Sequence, residues 1–416
     1  MATVLAALAA PHHAAAATCN HYASTTGNDH GPGSATQPYR SANRLVHSLP
    51  NGGTGCLSGV FTERVVITHP VNLRGPATIV GGITITSAAP GTSVTNLTIR
   101  GYGAGRSVVL VRADRVRIAG DHISGRGYLN RNTACVLLSG SRGPVIDSNR
   151  IETCSRATVR NLSAPGVFVG SAYGARVSNN LIVHTTGYGI VLGPNAQRTR
   201  VVHNLVDGNS GSLLITGNAK TSSSHNTVES NIFSNAGGNN VKAIWSGIVG
   251  RGNAVVANCV WHGFGGNFDA PGVHLEGNIV TSPRYVDRPS NYTVQAPPCL
   301  AKRPAIVAAH LTPLPPFRVT FHVKALAKRV RILRLGLSGL VSGTSVQAHC
   351  VAACTGSWTA KAHGATANMT SFEGRWLPVG AVIEVRETLA GHTGAVARIR
   401  VSGLPNGLTI THGAVS

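Results

Sequence analysis

Asn179–Pro194 reads NNLIVHTTGYGIVLGP, with short apolar runs at Leu181–Val183 and Ile190–Leu192 bracketed by Asn, Gly and Thr. The runs are too short and too closely punctuated for an amphipathic helix, which needs apolar residues recurring at three and four over ten or more positions. The pattern also repeats. A small or polar residue followed by Asn or Asp and an apolar pair recurs as GDHI (120–123), SNRI (148–151), NNLI (179–182), HNLV (203–206), SNIF (230–233), ANCV (257–260) and GNIV (277–280). The Asn/Asp positions, from Asp121 to Asn278, are spaced by 28, 31, 24, 27, 27 and 20 residues.

A second apolar run follows inside the units (CVLLSG from Cys135, GVFVG from Gly166, GIVLG from Gly189, LLITG from Leu213), so each unit offers about three short strands. Hairpins would need Asn–Gly turns between paired alternating runs, and these are missing. A coil in which each unit stacks on the last satisfies every strand, with equivalent strands pairing in parallel at ~4.8 Å. Variation in period is absorbed by loops at one corner. Asn149, Asn180, Asn204 and Asn231 are then interior corner residues, chosen because Asn tolerates a left-handed turn and stacked amides can bond from coil to coil.

The rest of the chain fits a loop-rich all-β protein. Of 416 residues, 50 are Gly, 12% are charged and 5% aromatic. Lys and Arg number 36 against 14 Asp and Glu, a net charge of +22. A surface of that sign attracts polyanions such as acidic polysaccharides or cell-wall polymers, unless it merely reflects an Arg-rich compositional habit. No recognition helix and no interleaving of basic and aromatic residues points to specific nucleic-acid binding. MATVLAALAAPHHAAAA, residues 1–17, is similar to a secretory signal peptide, although it lacks a positive start. No later run approaches the ~20 apolar residues of a membrane span. Eight cysteines without a CxxC pair fit an oxidising, extracellular setting rather than a zinc site.

The repeat resembles the right-handed parallel β-helix proteins of the pectin-lyase-like superfamily, and YASTTGNDHGPGSATQPYRSANRLVHSLPNGGTGCLSGVFTERVVI resembles the opening of their secreted actinobacterial members. There a G-x-D loop and a Pro-led helix cap the coil and a G-x-Y/F-x-E turn leads into it; Gly27–Asp29, Pro38–Leu49 and Gly59–Glu63 fill those places. The resemblance implies a single-stranded, three-faced right-handed parallel β-helix over 64–300. A cap and lead-in at 18–63 would contain a short helix. A linker at 301–316 and a small β-sandwich at 317–416 would follow, the latter recognised by alternating strands such as FRVTFHV and AVIEVRE. It also implies disulfides for Cys19 with Cys56 across the cap, Cys135 with Cys154 in successive coils, Cys259 with Cys299 around the last turns, and Cys350 with Cys354 in CVAAC.

Activity is less determined, because this superfamily includes lyases, hydrolases, esterases, epimerases, tailspikes and adhesins. Calcium-dependent elimination would require carboxylates recurring at one ladder position, and the few in the coil do not recur. No metal and no cofactor is therefore expected. Glu152 and Asp207 each sit three residues past a corner Asn on coils two apart. That separates them by roughly 9–10 Å, the outer limit for an inverting glycosidase pair. If Gly170, Gly193, Gly217 and Gly247 are equivalent, Tyr188 and Lys242 share one edge and form a candidate acid–base pair. His184 and His262 fall four residues past a corner and are expected as polar packing residues. Relatives carry H-G-I-Y, G-I-x-L-Y-P, N-G-E-G and N-V-E-S where this chain has Pro165–Phe168, Gly189–Pro194, Asn209–Ser212 and Asn240–Ala243. Two readings stay open: a secreted protein acting on acidic polysaccharide, by metal-independent elimination if catalytic, or a noncatalytic binder of polyanion or cell wall.

Overall fold

The computed structural model describes residues 19–416 apart from 103–104, 127–132, 155–163, 303, 305–311, 314–316, 342–343, 363, 389–391, 394, 404–406 and 415–416. The expected signal peptide at 1–17 and most of the expected linker at 301–316 lie outside the described residues. Contacts divide the chain into two compact units, Met1–Thr281 and Ser282–Ser416.

The first unit is a coil with three parallel ladders. One is a nine-stranded sheet running from Val65–Ile67 to Phe268–Asp269. The second stacks Arg117–Ala119, Val145–Asp147, Arg176–Ser178, Arg200–Val202, Thr227–Glu229, Ala254–Val256 and His274–Glu276 in register. The third stacks His122–Arg126, Arg150–Cys154, Leu181–Val183, Leu205–Asp207, Ile232–Ser234, Cys259–Trp261 and Ile279–Val280. Except in the last coil, each strand of the second and third ladders sends an apolar side chain inward. Ile118, Ile146, Val177, Val201, Val228 and Val255 make one such column, all fully buried. Burial of each stabilises the coil by ~1.5–3 kcal/mol.

All seven Asn/Asp positions of the repeat lie in one interior ladder. The amide N–H of each donates to the side-chain oxygen of the next: Asp121 to Asn149 (3.0 Å), Asn149 to Asn180 (2.9 Å), Asn180 to Asn204 (3.0 Å), and so on to Asn258 and Asn278 (3.0 Å). Asn Nδ2 groups also bond back to carbonyls, as Asn204 does to Val177 (2.9 Å). The left-handed turn belongs instead to the preceding residue: Ser148, Asn179, His203, Ser230 and Ala257 have φ between 52° and 56°. The Asn itself is needed for its interior amide. A second left-handed corner follows four residues later at Thr153, His184, Gly208, Asn235 and His262. His184 and His262 are therefore exposed corner residues, not packed ones.

The cap helix, Ala42–Ser48, is built as its flanking motifs suggest. Asp29 accepts from the Arg40 and Ser41 amides (2.8 and 2.9 Å), and Glu63 accepts from those of Ala42 and Asn43 (2.6 and 3.2 Å), so both loops supply the acceptors its first turn lacks. Cys19–Cys56, Cys135–Cys154 and Cys350–Cys354 are bonded, and Cys259 and Cys299 are disulfide-bonded as well.

The second unit contains a sandwich. Arg318–Leu326, Arg329–Ser338, Thr366–Asn368 and Trp376–Pro378 form a four-stranded antiparallel sheet. A five-stranded one includes Ser345–Ala352 and Val382–Thr388. Phe317, Ile332, Leu335, Phe372, Ile383 and Ile399 fill the core between them.

Candidate functional site

The third ladder positions a polar cleft. In most coils the residue after the corner Asn is apolar and buried: Leu181, Leu205, Ile232 and Cys259. The same position holds His122 and Arg150 in the two preceding coils. Two residues further along, Arg100, Ser124 and Glu152 are in register on three successive coils. These side chains converge on a cleft of about 320 Å³ lined by Val80, Arg100, Gly101, His122, Ser124, Glu152 and Thr153.

Glu152 organises the cleft. It accepts from His122 Nε2 at 2.7 Å, and its other oxygen pairs with Arg150 at 2.8 Å. Burial pushes its carboxyl up, but the His122 hydrogen bond and the Arg150 charge outweigh that and hold it at about 2. An ionised carboxylate only accepts, so His122 Nε2 is the donor, and in the neutral ring the lone pair is on Nδ1. The arrangement thus offers a fixed imidazole with a proton-accepting nitrogen, next to the Arg100 guanidinium and the Ser124 hydroxyl.

Asp207 is on the same ladder as Glu152, two coils on with Val183 between, as the corner count implies. Asp207 is fully buried, however, and accepts from Ser234 Oγ (2.7 Å) and Asn235 Nδ2 (2.6 Å). With Glu152 ionised in its ion pair and Asp207 buried, the two do not face a common opening as a glycosidase pair does.

Tyr188 and Lys242 are not in register. Tyr188 pairs with Gly211, whereas Lys242 pairs with Leu214, three positions along the strand. Gly217 pairs with Trp245, so the later Gly247 lies beyond the strand and cannot mark an equivalent position. Lys242 Nζ pairs with Asp269 at 3.1 Å. Burial raises the Tyr188 hydroxyl above its ordinary value, and Lys242 opposes that shift electrostatically, so the two are neighbours without sharing a rung. The Tyr188 ring lies over Gly211 where a Cβ would collide with it, and Phe168 covers Gly193 in the same way.

The second ladder carries the charge. Arg117, Arg176 and Arg200 occupy the same position, four residues before the corner Asn, and all are exposed. At the adjoining corner Arg142 and Arg198 reach over the exposed Tyr173 ring, 5.9 and 6.0 Å from its centroid. Arg115 and Arg198 adopt φ of 55° and 52° at a corner where other coils use Gly143, Gly174, His225 and Gly252. Three carboxylates lie in the same region: Asp114 accepts from the Arg142 amide (2.8 Å), Asp147 pairs with Arg117 and accepts from Ser178 and Asn179, and Glu229 pairs with Arg200. Six arginines against these three carboxylates, with one tyrosine, make a net cationic strip over four coils, about 14 Å along the coil axis at ~4.8 Å per rung. Among the described residues no three His, Cys, Asp or Glu side chains group as a metal site would need.

A family model described as a right handed beta helix region matches residues 79–227. The first unit is a right-handed parallel β-helix. The chain is similar in fold to the pectate lyase Pel9A (13% identity, TM-score 0.38, 68% of this chain and 86% of that one). It is similar also to tailspike protein 2 of Escherichia coli O157:H7 bacteriophage CAB120 (11% identity, TM-score 0.39, 90% and 60%) and to XylC in complex with xylose (9% identity, TM-score 0.40, 95% and 100%). No curated protein sequence matches the chain.

Proposed function

We propose that this is an extracellular protein that engages an acidic polysaccharide along the arginine strip of its β-helix. The observation that carries the reading is the register of Arg117, Arg176 and Arg200 beside the Arg142–Tyr173–Arg198 corner. A linear polyanion has charges repeating along one axis, as the strip does, and a sugar ring can lie on the exposed Tyr173. Placing two arginines in left-handed backbone, where Gly is the unstrained choice, is a cost of about 1 kcal/mol each that packing does not explain. Cysteines that are all disulfide-bonded support an oxidising location. Among the described residues no helix is long and apolar enough to cross a membrane. Isothermal titration with polygalacturonate and alginate tests the reading; binding that is unchanged by Arg117→Gln/Arg176→Gln/Arg200→Gln sinks it.

A second reading, metal-independent elimination, is favoured by the cleft. Arg100 would pair with a uronate carboxylate while His122 Nδ1 takes the proton from the carbon beside it. The carbon–carbon double bond then forms as the glycosidic carbon–oxygen bond breaks, and the departing oxygen takes a proton from water. Glu152 positions the imidazole. Absorbance near 235 nm on polyuronates reads this directly. His122→Gln should abolish it and Lys242→Ala should leave it; no product on any polymer, with binding retained, returns the protein to the binding reading.

A further inference from the structure

The charges of the C-terminal sandwich are divided between its two sheets. From residue 301 onward the chain has three carboxylates, Glu373, Glu384 and Glu387. Glu384 is held by Arg386 (2.7 Å) and Arg398 (2.8 Å), and Glu387 is buried, accepting from the Val341 amide and the Thr344 hydroxyl. Both belong to the five-stranded sheet. The four strands of the other sheet contain no Asp or Glu, and their outward face is cationic. Lys324, Arg331 and Trp376 are in register across three adjacent strands, and His322 is opposite Arg334. All five are exposed. The Arg329 guanidinium is 4.6 Å from the centroid of the Trp376 ring, which is 38% exposed. A shallow cavity of about 500 Å³ adjoins it, lined in part by Arg375, Trp376 and Thr355.

Like charges directly opposite one another destabilise a sheet, and among the described residues neither Lys324 nor Arg331 is in an ion pair; Arg331 Nε donates to the Gly374 carbonyl instead. Protection of a free edge explains cations on Arg318–Leu326, the outermost strand. It does not explain Arg331 and Arg334, because Arg329–Ser338 has partners on both sides. We infer that this face is a second binding surface, independent of the β-helix strip, for a uronate polysaccharide. The arginines offer carboxylate-matching forks, and Trp376 offers an apolar platform for a sugar ring.

The test is titration of the full chain with polygalacturonate, following tryptophan emission. The expected result is a shift that disappears in Trp376→Phe, which leaves the other tryptophans in place. Lys324→Gln/Arg331→Gln should weaken the Trp376-reported affinity at least 10-fold, and neutral dextran should give no shift. The β-helix variant Arg117→Gln/Arg176→Gln/Arg200→Gln should keep the Trp376 signal. Failure of the strip and failure of this surface are therefore separately visible. A chain with no Trp376-dependent shift at saturating polymer, or an undiminished affinity in the double variant, overturns the inference. So does the same shift at the same concentration of single-stranded DNA, which would make the face a general polyanion binder.

Discussion

Glu152 offers the most quantitative check on the cleft. Its carboxyl lies at about 2 instead of the ordinary 4.5, and only 16% of its side chain is exposed, so solvent screening is weak. That depression corresponds to ~3 kcal/mol of stability at neutral pH. Because the folded value is depressed, that contribution is fully present above pH ~4.5. It falls to less than ~1 kcal/mol by pH ~2.5 as the carboxylate is protonated. Urea unfolding of the wild type and Glu152→Gln, followed by far-UV circular dichroism between pH 7 and 2.5, isolates the term. Asp29 and Asp147, which are also held low, change both proteins alike. The gap between the two proteins should be ~2–3 kcal/mol at pH 7 and shrink to under ~1 kcal/mol at pH 2.5. A gap that stays constant across this range would show that Glu152 is not held by His122 and Arg150 as described.

Two further substitutions probe backbone and burial. Arg198→Gly relieves a left-handed residue and should stabilise the β-helix by about 1 kcal/mol while weakening polygalacturonate binding; a variant that is stabilised but binds as well as wild type removes Arg198 from the strip. Asp121 is buried in the Asn ladder with one carboxylate oxygen unpartnered, and burial raises its carboxyl well above the usual range. Asp121→Asn should therefore raise the melting temperature at pH 7, with the gain shrinking as pH falls toward the ordinary carboxylate range and gone below it. An equal gain at all pH values would point to packing rather than ionisation.

How much of this was legible beforehand depends on which interaction encodes it. The corner Asn repeat fixes the third ladder because each side-chain oxygen accepts the amide N–H of the corner residue one coil before, so the first three strand residues counted from it fall in register. Glu152 and Asp207 are on one ladder for that reason, and the arginines four residues before the Asn align in the same way. Counting from strand-ending glycines failed for Tyr188 and Lys242: Gly170 and Gly193 are in register, but Leu192 pairs with Ile215 and Gly217 with Trp245, so the count slips after Gly193. His122 and Arg150 were visible as polar residues where the other repeats are apolar, yet their partnership with Glu152 depends on side-chain geometry between coils. Whether Asp207 was open or buried could not be read from spacing at all, because Ser234 and Asn235 meet it only across a rung.

The central claim is tested most directly by the salt dependence of polygalacturonate binding in wild type and the Arg117→Gln/Arg176→Gln/Arg200→Gln variant. Three exposed pairings at ~0.5–1 kcal/mol each predict a loss of roughly 10- to 100-fold at low salt, narrowing as added salt screens the remaining charges. Equal affinity and equal salt dependence in the two proteins would contradict the account.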